Sequence, residues 1–271
     1  MKTTPKALLI DITLCGGCRD CMIGCMAEHG FEGDPFEVDD LSATAYSIVK
    51  EASDGEWYGR QMCRHCVEPS CVSVCPVGAL EKTDLGPVIY DANKCLGCRY
   101  CIQACPHNVP RYEWDKAVPA VAKCDMCYER IKEGGIPACA EACPNGATIF
   151  GDREEMLAEA RRRLREDPDL YYPHICGEEE LGGSSVIILS PVPLEELGIA
   201  DGFPTQAPAE LTAQALARVP GIVVMGGAMM FAIAWISRRR DAVARAEAEE
   251  MLELQRIDGD PVKDEEGEDV H

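Results

Sequence analysis

The stretch CGGCRDCMIGCMAEHG, residues 15–30, places four cysteines within eleven positions. Two residues separate Cys15 from Cys18 and Cys18 from Cys21, and three residues precede Cys25. One tight loop brings the first three sulfurs together, but the fourth lies further along the chain. The spacing therefore raises the question of whether all four thiols serve the same site.

The remaining cysteines repeat this arrangement along the chain. Sixteen of the seventeen cysteines fall into four groups of four, and the second, third and fourth groups end in Cys-Pro. Disulfide scaffolds are usually short secreted chains, and their spacings rarely repeat, so the repetition predicts metal sites. The groups are Cys15, Cys18, Cys21 and Cys25; Cys63, Cys66, Cys71 and Cys75; Cys95, Cys98, Cys101 and Cys105; and Cys124, Cys127, Cys139 and Cys143.

The spacing is typical of 4Fe–4S ligation. Each cluster needs four thiolates, and Cys-x2-Cys-x2-Cys supplies three of them from one loop. In two-cluster ferredoxins the last cysteine of each run binds the other cluster, which ties the runs together in pairs. Pairing the two middle groups with each other and the two outer groups with each other gives four predicted ligand sets. Set 1 is Cys15, Cys18, Cys21 and Cys143; set 2 is Cys25, Cys124, Cys127 and Cys139; set 3 is Cys63, Cys66, Cys71 and Cys105; set 4 is Cys75, Cys95, Cys98 and Cys101. Pairing the first group with the second is the alternative that spacing alone leaves open.

Other chemistries fit the residues less well. Zinc would explain pairs of Cys-x2-Cys, but not the third and fourth cysteines or the three Cys-Pro steps. Sixteen thiols for four clusters leave no iron open for a substrate, and the chain has no catalytic triad or nucleotide-binding loop, so no enzyme activity is expected. Cys176 lies outside the groups and is interpreted as a buried apolar residue. His65 and His107 adjoin cysteines, where they are either loop residues or groups that tune a cluster by a hydrogen bond or charge.

Apolar patterns between the cysteine groups predict strands and one amphipathic helix. Strands are expected at 6–12, 77–80, 86–91, 147–150 and 186–190. The helix is expected over 152–166, with Asp152 as its N-cap. A strand before the cysteines and a short helix through them is the ferredoxin arrangement. The predicted fold class is therefore α+β, with two pseudo-repeated bacterial-ferredoxin-like modules of two 4Fe–4S clusters each.

The C-terminal region has a different composition. Residues 219–236 carry no charge and would form a helix about 27 Å long, close to the thickness of a bilayer core. Trp235 and the arginines at 238–240 follow the pattern of an interfacial aromatic and a positive-inside flank. These features favour a single transmembrane helix over a buried core helix. The expected organisation is a cluster-binding domain at 1–200, a linker at 201–217, a transmembrane helix at 218–237 and an acidic tail at 238–271.

Charge and the N-terminus limit the function further. The net charge of −21 argues against nucleic acid as a partner, because phosphate binding needs basic patches. The N-terminus shows neither an apolar signal region nor a twin-arginine pair, so it predicts a mature start on a strand. The arginines after the apolar segment place the tail in the cytoplasm and the cluster domain in the periplasm, with export as the passenger of a partner. The alternative is a cluster domain on the cytoplasmic side.

The sequence resembles the four-cluster ferredoxin-type subunits of membrane-bound respiratory oxidoreductases. The stretches that carry the resemblance are QMCRHCVEPSCVSVCPVGAL (61–80), CLGCRYCIQACPHNVPRYEWD (95–115), GGIPACAEACPNGATIFGDREEMLAEA (134–160) and YYPHICGEEELGGSSVIILSPVPLEELG (171–198). They are most similar to the ferredoxin-like subunit of quinone-reactive uptake nickel–iron hydrogenase. The β subunit of respiratory formate dehydrogenase is also similar. Hydrogenase-type relatives carry a twin-arginine signal that this sequence does not show.

The resemblance implies a function, a set of partners and a cluster arrangement. It implies an outer module from 1–40 and 120–150 and an inner module from 60–110, with the outer groups paired as in sets 1 and 2. The implied role is electron transfer through four 4Fe–4S clusters, without catalysis. The implied partners are a catalytic subunit (a nickel–iron hydrogenase small subunit or a molybdoenzyme), an integral quinone-reactive subunit and the lipid bilayer. The implied location is the inner membrane, with a single pass.

Overall fold

Strands, short helices and one long helix alternate through the chain, for which the computed structural model describes residues 4–117 and 119–257. The strands are β1 (Lys6–Asp11), β2 (Ser47–Glu51), β3 (Tyr58–Met62), β4 (Leu80–Lys82), β5 (Val88–Tyr90), β6 (Arg111–Tyr112), β7 (Val121–Ala122), β8 (Thr148–Asp152) and β9 (Val186–Leu189). The helices are α1 (Asp20–His29), α2 (Ser70–Ser73), α3 (Tyr100–Ala104), α4 (Tyr128–Lys132), α5 (Ala138–Glu141), α6 (Arg153–Glu166) and α7 (Pro208–Ile257). The structure divides into two units that meet in sequence between Leu211 and Thr212.

A three-stranded sheet lies at the centre of the first unit. β1 pairs with β8 in antiparallel and with β9 in parallel orientation. Leu8 and Leu9 point to opposite faces and both are fully buried, so the sheet is covered on both sides. Leu8 packs in the main core with Met22 of α1, whereas Leu9 packs with Leu157 of α6. The strands predicted at 6–12 and 186–190 are thereby confirmed as β1 and β9.

α6 confirms the predicted amphipathic helix, but its N-terminus differs from the prediction. Asp152 occupies the N-cap position without capping the helix through its side chain. The register of β1 against β8 sets Lys6 opposite Asp152, and the two side chains form an ion pair. The carboxylate is therefore oriented towards the sheet and not towards the first turn of the helix.

Three antiparallel hairpins carry or flank the cysteine groups. They pair β2 with β3, β4 with β5 and β6 with β7. The strands predicted at 86–91 and 147–150 correspond to β5 and β8. The strand predicted at 77–80 is wrong in position, because β4 begins only at Leu80. Gly78 has a φ of +61°, and the N–H of Ala79 donates to Cys75 Sγ, so the chain turns around that sulfur first.

The buried carboxylate of Asp11 joins β1 to α6 and to the segment that follows α6. Asp11 is 1% exposed, and its Oδ2 accepts from Arg163 at 2.8 Å and from the Tyr171 hydroxyl at 2.9 Å. Thr13 donates to the other oxygen from both its N–H and its hydroxyl. The sequence-based strand assignment did not anticipate this charge within the core.

We expect Tyr171→Phe to lower the free energy of unfolding by about 1.5 kcal/mol, because one hydrogen bond to a buried charge is lost while the ring stays packed. The adjacent Tyr172 is 43% exposed, so Tyr172→Phe is the matched control and is expected to have almost no effect. Thermal or denaturant unfolding of the two purified variants measures the difference, and equal effects would contradict the role of the hydroxyl.

The C-terminal part of the structure is the helix α7. It is the one described helix that is long and apolar enough to cross a membrane, with a mean hydropathy of 2.0 over its best window. Ile222, Val224 and Phe231 are each at least 65% exposed, as expected for side chains that face lipid. The helix begins at Pro208, so the second half of the segment expected to be a linker is helical. Of the predicted acidic tail, 238–257 continues this helix, and 258–271 lies outside the described residues.

Candidate metal centres

The four cysteine groups share one local geometry. In each group the third cysteine is the second residue of a short helix: Cys21 in α1, Cys71 in α2, Cys101 in α3 and Cys139 in α5. In each group the residue before the second cysteine has a positive φ, at Gly17, His65, Gly97 and Met126. This left-handed residue turns the loop so that the first two sulfurs face the same side. The recurrence supports an internal fourfold repeat.

The fourth cysteines leave their helices in two ways. Cys75, Cys105 and Cys143 lie beyond the last residue of their helices, and each is followed by a proline. Proline lacks an N–H and disfavours helix in the residue before it, so these helices end early. Met26 follows Cys25 instead, and α1 continues to His29. The missing proline therefore lengthens one helix and keeps Cys25 inside it.

The set 1 thiols surround a cavity. Cys15, Cys18, Cys21 and Cys143 line about 420 Å³ of space, part of it open to solvent. Burial and the neighbouring thiols Cys143 and Cys18 raise the pKa of Cys15. Cys143 thus lies beside the first group of cysteines, although it belongs to the fourth group in sequence.

The thiols of set 2 also lie close together, although they come from the first and the fourth groups. Burial raises the pKa of the Cys127 thiol to about 12, and Cys139 and Cys25 contribute to the shift. Burial and Cys25 also raise the pKa of Cys124. Cys25 therefore lies among cysteines of the fourth group, as Cys143 lies beside the first group.

The last cysteine of each inner group is likewise a neighbour of the other inner group. Burial, Cys63 and Cys105 raise the pKa of Cys66 to about 12. In set 4, burial raises the pKa of Cys101 to about 11, and Cys95, Cys98 and Cys75 add to the shift. The neighbours of these thiols are those expected for sets 3 and 4. The ligand sets themselves stay predictions, since these proximities concern thiols without iron.

The donor groups in the sets fit 4Fe–4S clusters. Four thiols in one place repel one another once ionised, and bound iron removes that repulsion because thiolate is the ligand form. Backbone N–H groups of Ala79, Gly97 and Met126 donate to cysteine sulfurs at 3.2, 3.4 and 3.3 Å. Hydrogen bonds of this kind stabilise the negative charge of cluster sulfurs. The residues present therefore suit the cofactor that the spacing predicts.

Basic side chains lie beside the thiols, and they were not predicted from the sequence. Arg60 of β3 is 3% exposed and has Cys21, Cys139 and Cys124 among its electrostatic partners, so it lies between sets 1 and 2. Its guanidinium also donates to Thr148 Oγ1 at 3.3 Å. Lys82 has Cys66 and Cys63 of set 3 as partners. A basic residue inside an otherwise apolar strand was the only sequence signal for Arg60.

The two histidines that adjoin cysteines do not carry charge. His65 is fully buried, and its Nδ1 accepts from the N–H of Val88 at 2.8 Å. Burial and the nearby Lys123 and Lys82 lower its pKa well below the usual range. Burial and Arg64 lower the pKa of His107 to about 3. Both rings are therefore neutral near pH 7, and tuning of a cluster by their charge is not supported.

The pKa of His29 is raised, in contrast to the lowered pKa values of His65 and His107. It lies in the last turn of α1, where its Nε2 is 3.1 Å from Asp125 Oδ1 and its Nδ1 is 2.9 Å from the carbonyl oxygen of Cys25. Burial disfavours the imidazolium, but the bonds to Asp125 and Cys25 raise the pKa of His29 to about 11. The continuation of α1 past Cys25 thus brings a cation to set 2. Cys176 is buried in the main core, as predicted, next to β9 through its bridge to Ile188.

Gly17→Ala is expected to destabilise the protein more than Gly30→Ala. Both glycines have a positive φ, +70° and +65°, which costs an alanine about 1 kcal/mol. An added Cβ at Gly17 would lie 2.7 Å from the Tyr58 ring, whereas at Gly30 it meets no atom within 4 Å. The overlap adds about 1–2 kcal/mol. The thermal midpoint and iron content of both variants test this, and equal midpoints would contradict it.

Comparisons with known proteins agree with this geometry. Residues 45–153 match the model of a 4Fe–4S dicluster domain. A protein of Nitratidesulfovibrio vulgaris is 35% identical over 259 residues, which cover 90% of this chain and 70% of the relative. The hydrogenase-2 operon protein HybA of Escherichia coli O157:H7 is 39% identical over 71% of this chain and 72% of its own length. The formate dehydrogenase iron–sulfur subunit of Haemophilus influenzae is 36% identical over 58% of this chain and 55% of its own length.

Cysteine spacing, the repeated loop-and-helix geometry and these identities lead to one conclusion. The chain belongs to the family of ferredoxin-type 4Fe–4S proteins that includes HybA and the iron–sulfur subunits of formate dehydrogenase.

Proposed function

We propose that this protein is the electron-transfer subunit of a membrane-bound respiratory oxidoreductase and that it holds four 4Fe–4S clusters in sets 1 to 4. The outer module is formed by 1–40 and 120–150, and the inner module by 60–110. The observation that carries the proposal is the proximity of the last cysteine of a group to the thiols of the other group in its pair. Cys143 is a neighbour of Cys15, and Cys105 is a neighbour of Cys63. Such proximity is what the exchange of last cysteines in two-cluster ferredoxins requires.

Contacts between the sets support a linear order of clusters. Cys139 of set 2 is an electrostatic neighbour of Cys21 in set 1, and Cys63 of set 3 is a neighbour of Cys124 in set 2. Cys71 of set 3 and Cys101 of set 4 pack in one small core. The proposed path for electrons therefore runs through sets 1, 2, 3 and 4 in that order or in reverse.

The residues of the chain have limited tasks in this function. A bound 4Fe–4S cluster supplies one-electron exchange. The thiolates hold it, the backbone N–H groups and buried cations set the local field, and the apolar cores keep water away. Each set has four thiols, so no iron is left for a substrate, and we propose that the subunit is not catalytic. The second candidate, an enzyme with an open iron, has no supporting feature in these sets.

The partners are proposed from the relatives. Because the similarity to HybA extends over most of the chain, we propose a nickel–iron hydrogenase as the catalytic partner. A molybdoenzyme such as formate dehydrogenase is the alternative, supported by the similarity to its iron–sulfur subunit. An integral quinone-reactive subunit completes the proposed complex and α7 anchors the chain beside it.

The proposed orientation follows from the charges after the apolar segment. The arginines at 238–240 favour the cytoplasm, so we propose a periplasmic cluster domain. Protease added to intact spheroplasts is expected to digest the cluster domain. A protected cluster domain, with digestion only after lysis, would support the cytoplasmic alternative.

Metal analysis of the complex purified from membranes in detergent tests the function. We expect about sixteen irons per chain and several signals from reduced clusters during an EPR redox titration. Nickel in the preparation would identify a hydrogenase partner, and molybdenum would identify the alternative. Zinc in place of iron, or iron that does not change its EPR signals over the titration, would overturn the proposal.

A further inference from the structure

Three side chains outside the cysteine sets converge at one point of the first unit. They are His174, Glu180 at the start of the 3-10 turn Glu180–Gly182, and Asp201, which follows the 3-10 turn Leu194–Leu197. One ligand atom from each lies within 4.8 Å of the other two. His174 Nε2 contacts Glu180 Oε1 directly and is 3.9 Å from Asp201 Oδ1.

Both carboxylates are buried and incompletely paired. The side chains of Glu180 and Asp201 are 9% and 8% exposed. Among the described residues, Asp201 Oδ1 has no hydrogen-bond donor, and Glu180 Oε1 has only its contact with His174 Nε2. Burying a carboxylate oxygen without a partner is unfavourable by several kcal/mol, and two such oxygens near one another repel. The negative charge of these two oxygens therefore needs a cation nearby, and the side chains of the site supply only part of the positive charge.

Hydrogen bonds fix the orientation of Glu180. Its Oε2 accepts from the N–H of Gly177 at 2.9 Å and from the N–H of Glu179 at 3.3 Å. These bonds turn Oε1 towards His174 and Asp201. Such outer hydrogen bonds are a usual support of carboxylates that bind metals.

We propose that His174 Nε2, Glu180 Oε1 and Asp201 Oδ1 bind a divalent ion of the zinc class, distinct from the iron of the cysteine sets. One imidazole and two carboxylates suit a borderline ion, whereas Mg²⁺ and Ca²⁺ prefer oxygen ligands alone. With a neutral imidazole the two carboxylates balance the ion's charge. Tetrahedral ligands at zinc distances lie about 3.3 Å apart, so small side-chain movements must bring the widest pair closer and separate His174 Nε2 from Glu180 Oε1.

The surroundings leave room for such an ion. The His174 side chain is 40% exposed, which gives the ion access and leaves a position for water as a fourth ligand. Cys176 lies nearby, with Asp201 and Glu180 among its electrostatic partners. Arg64 is a cation that acts on Cys176. The alternative is that Arg64 and a protonated His174, without a metal ion, balance the negative charge of the two carboxylates. The test must distinguish this alternative from metal binding.

The ion would have a structural role. Backbone bonds already join the two segments that carry the ligands: Leu181 donates to the carbonyl of Pro204 at 2.8 Å, and Gly182 to that of Thr205 at 2.7 Å. Phe203, in the second of these segments, places its ring 5.1 Å from the ring of His107. His107 lies two residues after Cys105 in the sequence. The ion therefore fastens the segment at 201–205 to the part of the fold that carries set 3.

Zinc binding by the full-length protein with its iron in place tests the site, since thiols that hold iron do not compete. After mild chelation, anaerobic dialysis against limiting Zn²⁺ is expected to leave about one zinc per chain beside unchanged iron. Asp201→Asn and His174→Gln should each lower the zinc affinity at least about tenfold, the smallest loss expected even for residues that only support a ligand. Glu196→Gln is the matched control, because this exposed residue of the Leu194–Leu197 turn offers no atom to the site, and its affinity should equal that of the wild type.

The thermal midpoint gives a second measurement that does not depend on the variants. Zn²⁺ at a concentration 100 times its Kd should raise the midpoint of the wild-type protein, because it binds only the folded state, and Mg²⁺ should not. Failure of Zn²⁺ to bind or to raise the midpoint would overturn the proposal, as would equal zinc affinity in Asp201→Asn and wild type. Iron content and EPR signals report separately on the electron-transfer function, so either proposal can fail alone.

Discussion

Cys143→Ser is expected to change the same EPR signal as Cys15→Ser and to leave unchanged the signal that Cys25→Ser affects. Cys15 and Cys143 are neighbours in the structure, whereas Cys25 lies among Cys124 and Cys127. Loss of one thiolate exposes an iron, so we expect the cluster in set 1 to be altered or lost and the iron content to fall by about one to four atoms per chain.

The control for this experiment is Cys176→Ser, which removes a buried thiol outside the sets. It is expected to keep all iron and every signal, although its packing in the core is disturbed. If Cys25→Ser instead affected the same signal as Cys15→Ser, and Cys143→Ser a different one, each group would close its own cluster and the exchange between groups would be refuted. The comparison is made by redox titration of matched samples.

Arg60→Met is expected to lower the reduction potentials of two clusters by on the order of 100 mV. Reduction adds negative charge, and the buried guanidinium of Arg60 lies between the thiols of sets 1 and 2, so removing it disfavours the reduced form. A unit charge at roughly 7 Å contributes about 2.4 kcal/mol at an effective dielectric constant near 20. For a one-electron couple this corresponds to about 100 mV.

Two variants make the result interpretable. Arg60→Lys keeps the charge and should shift the potentials much less. Arg161 lies on α6, away from the thiols, and its carboxylate partner is Glu178. Arg161→Met should therefore leave both reduction potentials unchanged. If Arg60→Met kept its iron and both reduction potentials equalled those of the wild type, the guanidinium would contribute only to packing. If Arg60→Met lost its iron, the potentials of Arg60→Lys against Arg161→Met would decide whether position 60 acts on the clusters.

Much of the site could be predicted from sequence because the repeated spacing constrains it. The third cysteine of each group lies at the start of a helix, and the last cysteine of each group lies near the group expected from two-cluster ferredoxins. β1 was likewise predictable as a short, continuous apolar run, and α6 from an apolar period of about 3.6 residues. Local patterns were sufficient wherever the local geometry repeats.

Features that depend on distant contacts were missed. Arg60 reaches the thiols only because β3 passes between loops that are far apart in the chain. The turn around Cys75 displaced the predicted strand, because a sulfur acceptor competes for N–H groups that a strand would use. His174 and Asp201 converge through folding of the whole first unit. No window of sequence contains the information for such contacts.

The topology of the central sheet has a consequence for biosynthesis. β1 leaves the ribosome well before both of its partners, β8 and β9, which come from residues 148–189. At translation rates of about 5–20 residues per second, β1 waits on the order of 10 s for its first neighbour. The 60–110 region has local hairpins and closes much earlier. We therefore expect the nascent chain to mature from its middle outwards, with its N-terminal thiols the last to be sheltered from oxidation.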